Sequence, residues 1–293
     1  MRRGITILEF LVVVVLCILV LSVGLIALMR HRENSHRVMC ENNLRVLGVA
    51  VLAYHGSAKD KNPRLHLPPS RIDDGFATWA VLIAPHMLAD HPLNRWNQEL
   101  PYFAQEEAIR ESRVIFHFCP SRRRADTLSE AGDLDKNGVH VRGGLGDYAS
   151  VAGDGSPNRD WASVKANGAI VRAEVLERKG DRIVKWQSLT RIEMLKRGTS
   201  NVLLLGEKHV PIEHQGDAAV GDGTLYSGQH PASFSRIAGP GFPLVTAPDA
   251  PFNRNFGSAH NRICNFLMAD GSKRPTTIDI SENVLGELAR RGE

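Results

Sequence analysis

The strongest pattern along the chain is an unbroken apolar run near its N-terminus. The run extends from Phe10 to Met29, and within it only Ser22 and Gly24 are not apolar. As a helix it would rise about 30 Å, which matches the hydrocarbon core of a bilayer. The run ends at Arg30. Because it is longer than the roughly 7–15 apolar residues of a cleaved signal peptide, it predicts a retained transmembrane anchor.

Beyond the run the apolar positions change to a single stripe. They recur at spacings of four and three, which is the period of one helix face. The stripe consists of Cys40, Leu44, Leu47, Val51 and Tyr54. Neither Gly nor Pro occurs between residues 30 and 37, so we expect one helix from near Ile5 to about His55. Its amphipathic half needs an apolar partner, which one face of a sheet could supply.

The rest of the chain predicts an α+β body with short strands and long loops. Further helices are predicted at residues 76–90, 102–112 and 282–291. Strands are predicted at Val114–Phe118, Tyr148–Val151, Ala169–Val171, Arg182–Trp186, Asn201–Leu205, Ile263–Met268 and Lys273–Ile278. Asp270 and Gly271 lie between the last two strands and indicate a hairpin. Loops are predicted at residues 57–75, 121–146 and 209–258.

Charge is concentrated at the N-terminal end. The formal net charge is +4, and five arginines and two glutamates before Cys40 account for +3 of it. The nearly neutral body has no positive excess for binding phosphates, which excludes a nucleic-acid partner. Its apolar content excludes intrinsic disorder. A polytopic membrane protein is excluded because the sequence has no second apolar run of comparable length.

The residues before the apolar run form a motif, RRGITILE at positions 2–9. An ionised carboxylate beside such a run, here Glu9, is costly and is usually paired or functional. The motif resembles the class III leader of type IV pilins and type II secretion pseudopilins. The resemblance implies that a prepilin peptidase cuts between Gly4 and Ile5 and methylates the new N-terminus. It also implies that Glu9 pairs with the terminal amine of a neighbouring subunit. Alternatively, Glu9 is an interfacial residue of a plain anchor.

Five further segments carry a second resemblance. They are Cys40–Leu44 with Tyr54-His55, Phe118–Ser121, Asp147–Ala149 with Ala152–Gly155, Thr199–Asn201 with Gly206–Lys208, and Phe256–His260. The last begins a His-x9-Asp-Gly signature that runs from His260 to Asp270 and Gly271. Together they resemble a bacterial family of pilin-like surface proteins whose body is a domain of unknown function, sometimes filed as a family-ten solute-binding domain. The resemblance implies a long N-terminal helix on an antiparallel β-sheet head with long loops. No reaction is established for that family.

The two resemblances imply a domain organisation. Residues 1–4 are a leader, 5–29 the transmembrane half of the helix, 30–56 its amphipathic half, and 57–293 an extracytoplasmic head. The protein is then a single-pass protein of the cytoplasmic (inner) membrane with its head at the cell surface. The flanking charges disagree, because three arginines follow the run and two precede it, which favours a cytoplasmic body. We follow the leader, which is the more specific signal.

The four cysteines divide between the anchor and the head. Cys17 lies in the apolar run and is interpreted as a small hydrophobic residue. Cys40 and Cys119 lie in segments that carry the resemblance, and on that ground we predict a disulfide between them. Two reduced buried thiols are the open alternative. No Cys-x2-Cys pair occurs, so no structural zinc site is predicted.

A calcium site is a weak candidate in one charged loop. Asp133, Asp135 and Asn137 alternate as in the first half of a calcium-binding loop. Gly144 stands at the twelfth position, where a bidentate acid is expected. We therefore expect a solvated turn, and the chain is predicted to hold no metal or other cofactor.

No catalytic motif accompanies these features. The chain lacks a His-Glu-x2-His motif, a nucleophile elbow and a phosphate-binding loop. His260 and Asp270 could form an acid–base couple, but we expect Asp270 to stabilise the tight turn in which it lies. The sequence therefore predicts a non-enzymatic, pilin-like structural subunit that forms homo- or hetero-assemblies through its N-terminal helix. The alternative is an anchored binding module for a glycan, peptide or small solute that uses the loops of residues 209–258. An anchored hydrolase has the least support.

Overall fold

The computed structural model describes residues 7–57 and 66–292 as an α+β structure built on one long helix. Helix α1 spans Ile7–Gly56, 50 residues without a break. The shorter α-helices are α2 Trp79–Ile83, α3 Glu107–Arg110, α4 Pro231–Phe234 and α5 Glu282–Ala289. The 3-10 turns are Ala84–His86, Pro92–Arg95, Tyr102–Ala104, Ile115–His117, Ile192–Met194, Thr199–Asn201, Ile212–His214 and Ala218–Val220. The predicted cleavage residues Gly4 and Ile5 lie outside the described residues.

Five strands form the central sheet and two form a separate hairpin. The strands are β1 Tyr148–Gly153, β2 Glu174–Lys179, β3 Arg182–Gln187, β4 Leu203–Glu207, β5 Ser235–Ile237, β6 Ile263–Met268 and β7 Lys273–Thr277. The central order is β5-β1-β4-β6-β7, and β2 pairs only with β3. The α+β prediction is confirmed. The central sheet is mixed, however, because the edge strand β5 runs parallel to β1.

Helix α1 covers one face of the central sheet with its C-terminal half. All five residues of the predicted stripe are buried there. Gly48 brings the helix close to β6, since a Cβ atom at this position would lie 2.6 Å from Leu267 Cδ1. Phe266 and Met268 belong to a second core on the opposite face, to which α5 contributes Leu285. Alternate β6 residues therefore serve two cores, as expected for a strand that is covered on both sides.

The β6–β7 hairpin confirms the clearest strand prediction. Gly271 has φ +84°, a backbone angle that residues with a side chain rarely adopt. Asp270 Oδ1 accepts a hydrogen bond from Ser272 N. Two strand predictions were wrong. Ile115–His117 is a 3-10 turn, and Ala169–Val171 is buried without joining a strand. Apolar runs this short do not distinguish a strand from a buried turn.

Two regions predicted to be loops contribute to the interior. Residues 221–228 are buried throughout, and residues 209–258 also contain α4 and β5. Arg123 and Asp133 are buried within the stretch 121–146, which was predicted to be exposed. Paired polar side chains can be buried when their hydrogen bonds are satisfied, and this pairing is not visible in sequence patterns.

Candidate functional site

The N-terminal half of α1 is exposed and does not pack into the core of the head. Its most apolar window has a mean hydropathy of 3.3, and none of that window is buried. Within the described residues, α1 is the one helix long and apolar enough to cross a membrane. Glu9 lies in its first described turn, where a carboxylate interacts favourably with the helix dipole. This half therefore has the length and surface of a single-pass anchor.

Where the helix meets the head, four buried side chains converge. Cys40 comes from α1 and Cys119 follows the Ile115–His117 turn. Glu207 ends β4, and His260 precedes β6. One donor atom from each side chain lies within 4.8 Å of all the others. Among residues 7–57 and 66–292, this is the one group of at least three His, Cys, Asp or Glu side chains with that geometry.

The distances within this four-donor cluster are those of direct contact. The Sγ atoms of Cys40 and Cys119 are 2.9 Å apart and are not joined by a bond in this structure. Cys119 Sγ lies 3.6 Å from His260 Nε2, and that nitrogen lies 3.3 Å from Glu207 Oε1. The structure thus brings the two predicted cysteines together. Their covalent bond stays a prediction.

Surrounding groups hold the donors in place. Glu33 Oε1, two turns before Cys40 on α1, lies 2.6 Å from His260 Nδ1. Glu207 Oε2 accepts a hydrogen bond from Asn265 N at 2.7 Å. Glu207 Oε1 is buried, and its neighbour among the donors is His260 Nε2 at 3.3 Å. One carboxylate oxygen is therefore fixed to the backbone of β6, while the other points into the cluster towards His260.

A buried ionic network supports the Cys119 turn. Cys119 N donates to Asp147 Oδ2 at 2.7 Å. Arg123 bridges Asp147 and Asp222 at 2.5 and 2.6 Å, and Lys208 Nζ lies 2.9 Å from Asp222 Oδ1. Burial acts to raise the pKa of Asp222, but Arg123 and Lys208 hold it well below its usual range. The network therefore fixes the backbone of the Cys119 turn through Asp147.

The cluster makes its two thiols unequal. The hydrogen bond between the sulfurs raises the pKa of Cys40 and lowers that of Cys119 to about 7. Burial acts to lower the pKa of His260, but its hydrogen bonds to Cys119 and Glu207 raise it to about 11. These directions favour a thiolate at Cys119. The arrangement can therefore bind a soft metal ion or be oxidised to a disulfide.

Asp270 and Gly271, the other members of the signature motif, contribute to the hairpin instead. His260 contacts Glu33, Cys119 and Glu207, whereas the Asp270 carboxylate accepts from Ser272 within the turn. The structure gives the two ends of the motif different partners. We therefore assign the motif no acid–base couple.

The half calcium loop forms a local turn. Asp135 Oδ1 accepts hydrogen bonds from Asn137 N and Val139 N, both at 2.9 Å. Asp133 is buried, and its Oδ2 accepts from Thr224 N at 2.8 Å. Asp135 and Asn137 thus hydrogen-bond to each other within an exposed turn, whereas Asp133 is buried and contacts a residue 91 positions away.

Sequence patterns do not single out Glu33 or Glu207 as parts of the site. Metal-ligand spacings did not reveal the cluster, because Cys40 and Cys119 are 79 residues apart and Cys119 and His260 are 141 apart. A signal was present nevertheless. Each donor falls in a different one of the segments that carry the family resemblance.

One comparison with known proteins gave a result. A family model described as "Protein of unknown function (DUF1559)" matches residues 29–282. The search of curated proteins gave no match, and the search of solved structures also gave none. The match begins at the end of the apolar run and includes all four donors of the cluster.

Proposed function

The chain belongs to the DUF1559 family of proteins of unknown function, and from this premise we propose that it is a membrane-anchored, pilin-like structural subunit. The observation that carries the proposal is the shape of α1. One uninterrupted helix is wholly exposed in its apolar half and buried against the sheet in its other half. Such a helix suits a subunit that is anchored in lipid and displays a head. We propose no catalytic step.

The exposed half supports an anchor by its energetics. Its large apolar side chains are mostly half or more exposed; Leu19, for example, is 55% exposed. Leaving this much apolar surface in water is unfavourable, at about 25 cal/mol per Å². A bilayer covers it along the length from Phe10 to Met29. Arg30 and Arg32 then lie at the level of the head groups.

Support for the pilin-like identity comes from the leader. The Gly4-Ile5 bond precedes Glu9 at the spacing of a class III leader, and the helix that follows extends into the head. We propose that a prepilin peptidase cleaves this bond. Glu9 then pairs with the amine of another subunit within the membrane, as the class III leader implies.

N-terminal sequencing of the protein from membranes tests the processing. We expect the mature chain to begin at Ile5 with a methylated amine. Gly4→Val should leave the chain uncut, whereas Gly24→Val in the apolar run should be cut normally. A mature chain that begins at Met1 would refute the processing.

Native electrophoresis of gently solubilised membranes tests assembly. Glu9→Gln should lose the higher-order species yet remain in the membrane, whereas Ser22→Ala should keep them. Unchanged assembly in Glu9→Gln would refute the pairing role of Glu9.

Protease added to intact spheroplasts tests the orientation. We expect digestion of the head, because the proposal places residues 57–293 outside the cytoplasmic membrane. Protection of the head until the cells are lysed would show the orientation that the flanking arginines favour.

No specific observation favours the alternative of an anchored binding module. It rested on open loops at residues 209–258, yet residues 221–228 are buried throughout. Leu225, Tyr226 and Phe234 from this stretch belong to the main core. We therefore do not carry that alternative further.

A further inference from the structure

We propose that Cys40, Cys119, Glu207 and His260 bind one divalent transition-metal ion, and that Zn²⁺ fits them best. The donors are two sulfurs, one imidazole nitrogen and one carboxylate oxygen. Zinc takes all three donor types, and four protein ligands are typical of its closed structural sites. The inference goes beyond the proposed function, because it requires neither processing nor assembly.

Two of the donor–donor distances match the edges of a zinc tetrahedron. With zinc bonds of about 2.3 Å to sulfur and about 2.0 Å to nitrogen or oxygen, S–N edges are about 3.5 Å and N–O edges about 3.3 Å. Cys119 Sγ and His260 Nε2 are 3.6 Å apart, and His260 Nε2 and Glu207 Oε1 are 3.3 Å apart. The S–S edge is the exception. It is 2.9 Å, and zinc would widen it to about 3.8 Å.

The buried Glu207 Oε1 atom favours a metal over a disulfide. A disulfide would use only the two sulfurs and leave this oxygen with the long contact of 3.3 Å to His260 Nε2. One long contact compensates a buried carboxylate oxygen less well than a bound cation would. A cation among the four donors would satisfy it. Glu207 is already oriented for this, because its Oε2 is fixed by Asn265 N.

Glu33 completes the arrangement as a positioning residue. Ligating histidines usually donate their other ring N–H to a carboxylate, which fixes the tautomer and the ring orientation. Here Glu33 Oε1 lies 2.6 Å from His260 Nδ1, so Nε2 faces the cluster. Glu33 and the donor Cys40 both belong to α1, whereas the other three donors belong to the head. The ion would therefore fasten the helix to the head just beyond the membrane.

Metal analysis of the full-length chain, purified in detergent without a histidine tag or chelator, tests the site. We expect about one zinc per chain in the wild type. Cys119→Ser and Glu207→Gln should lose it. The control Cys264→Ala removes a buried cysteine outside the four donors and should retain zinc. Wild-type chain without metal, in which Cys40 and Cys119 resist alkylation until reduced, would overturn the proposal and establish the disulfide.

Cobalt provides a readout that does not depend on how well a variant folds. Co²⁺ added to metal-depleted wild type should give thiolate charge-transfer bands and the intense visible bands of a tetrahedral site. Glu33→Gln should keep these bands but lower the affinity for zinc about 10–100-fold, as loss of an outer-shell partner does. Octahedral cobalt spectra without thiolate bands in the wild type would contradict the assignment.

Discussion

The two halves of α1 share one continuous backbone but differ in how many faces are apolar. From Phe10 to Met29 the helix is apolar all round, and none of its most apolar window is buried. From Cys40 to Tyr54 it is apolar along one stripe, and that stripe is buried on the sheet. A helix that is apolar all round needs lipid or a full protein shell, whereas a striped helix needs only one partner surface.

This difference explains how one element can serve two environments. Gly48 lies in the striped half and allows close approach to Leu267, whereas a Cβ at Gly24 in the other half would meet nothing within 4 Å. The donor Cys40 and the positioning residue Glu33 lie where one environment gives way to the other. Side chains in the two halves should therefore respond differently to equivalent substitutions.

The largest difference is expected from truncating a leucine in each half. Leu47 is fully buried, so Leu47→Ala should lower the free energy of unfolding of the head by about 2–5 kcal/mol. Leu19→Ala should leave it unchanged. Denaturant unfolding of the full chain in detergent measures both by tryptophan fluorescence, since all four tryptophans lie in the head. Equal losses would remove the distinction between the halves.

An added charge should impair membrane insertion only when it is placed in the apolar half of α1. Leu19→Arg places a cation near the middle of the apolar run, at a cost of about 2.5–3.5 kcal/mol for insertion. Val49→Arg adds the same charge at an exposed position of the striped half and should not affect insertion. The fraction that resists alkaline extraction from membranes measures insertion. Extraction of both variants to the same extent would contradict the account.

The two glycines offer a smaller and sharper contrast. Gly48→Ala forces a Cβ to within 2.6 Å of Leu267 Cδ1 and should destabilise the head by about 1–3 kcal/mol. Gly24→Ala meets nothing and should raise helix stability by up to about 1 kcal/mol. Thermal unfolding followed by circular dichroism compares them. A stabilising Gly48→Ala would show that the helix does not pack closely on β6.

The pH dependence of the free energy of unfolding should arise in the head. The turn containing His117 packs against α1, and burial lowers the pKa of His117 to about 3, with His91 adding to the effect. Its unfolded form binds a proton below about pH 6.5 and its folded form does not. Stability should therefore fall as the pH drops from about 6.5 towards 3, by up to about 1.4 kcal/mol per pH unit.

His117→Phe isolates that contribution. The variant should lose less stability than the wild type between pH 6.5 and 4.5 in denaturant titrations. Asp222 does not confound this window, because a carboxylate whose pKa is lowered loses its contribution only below about pH 3.8. Parallel pH profiles would contradict a buried, neutral His117.

The sequence predicted the parts of the fold whose signal is local. The stripe from Cys40 to Tyr54 and the Asp270-Gly271 hairpin depend on neighbours a few residues apart, and both predictions are confirmed. Strand β5 was missed because its three residues join the sheet only through long-range pairing with β1. The segment Val114–Phe118 was assigned to a strand because a short apolar run carries no information about a pairing partner.

The site was predictable only in part. The proximity of Cys40 and Cys119 was expected from the resemblance, but Glu207 and Glu33 were not singled out. Glu207 lies in one of the segments that carry the family resemblance but has no ligand-like spacing to another donor, and Glu33 lies in the polar stretch that follows the apolar run. Their role depends on how α1 crosses the head, and no local pattern encodes that crossing.

The accessibility of Cys17 tests most directly the claim that one half of α1 lies in lipid while the other packs on the head. This thiol is exposed on the protein surface within the apolar half, whereas Cys40, Cys119 and Cys264 are buried. In intact membranes a charged, membrane-impermeant maleimide applied to both faces should leave Cys17 unmodified. It should react with Val49→Cys, which is exposed in the striped half. Modification of Cys17 in intact membranes, at the rate of Val49→Cys, would contradict the account.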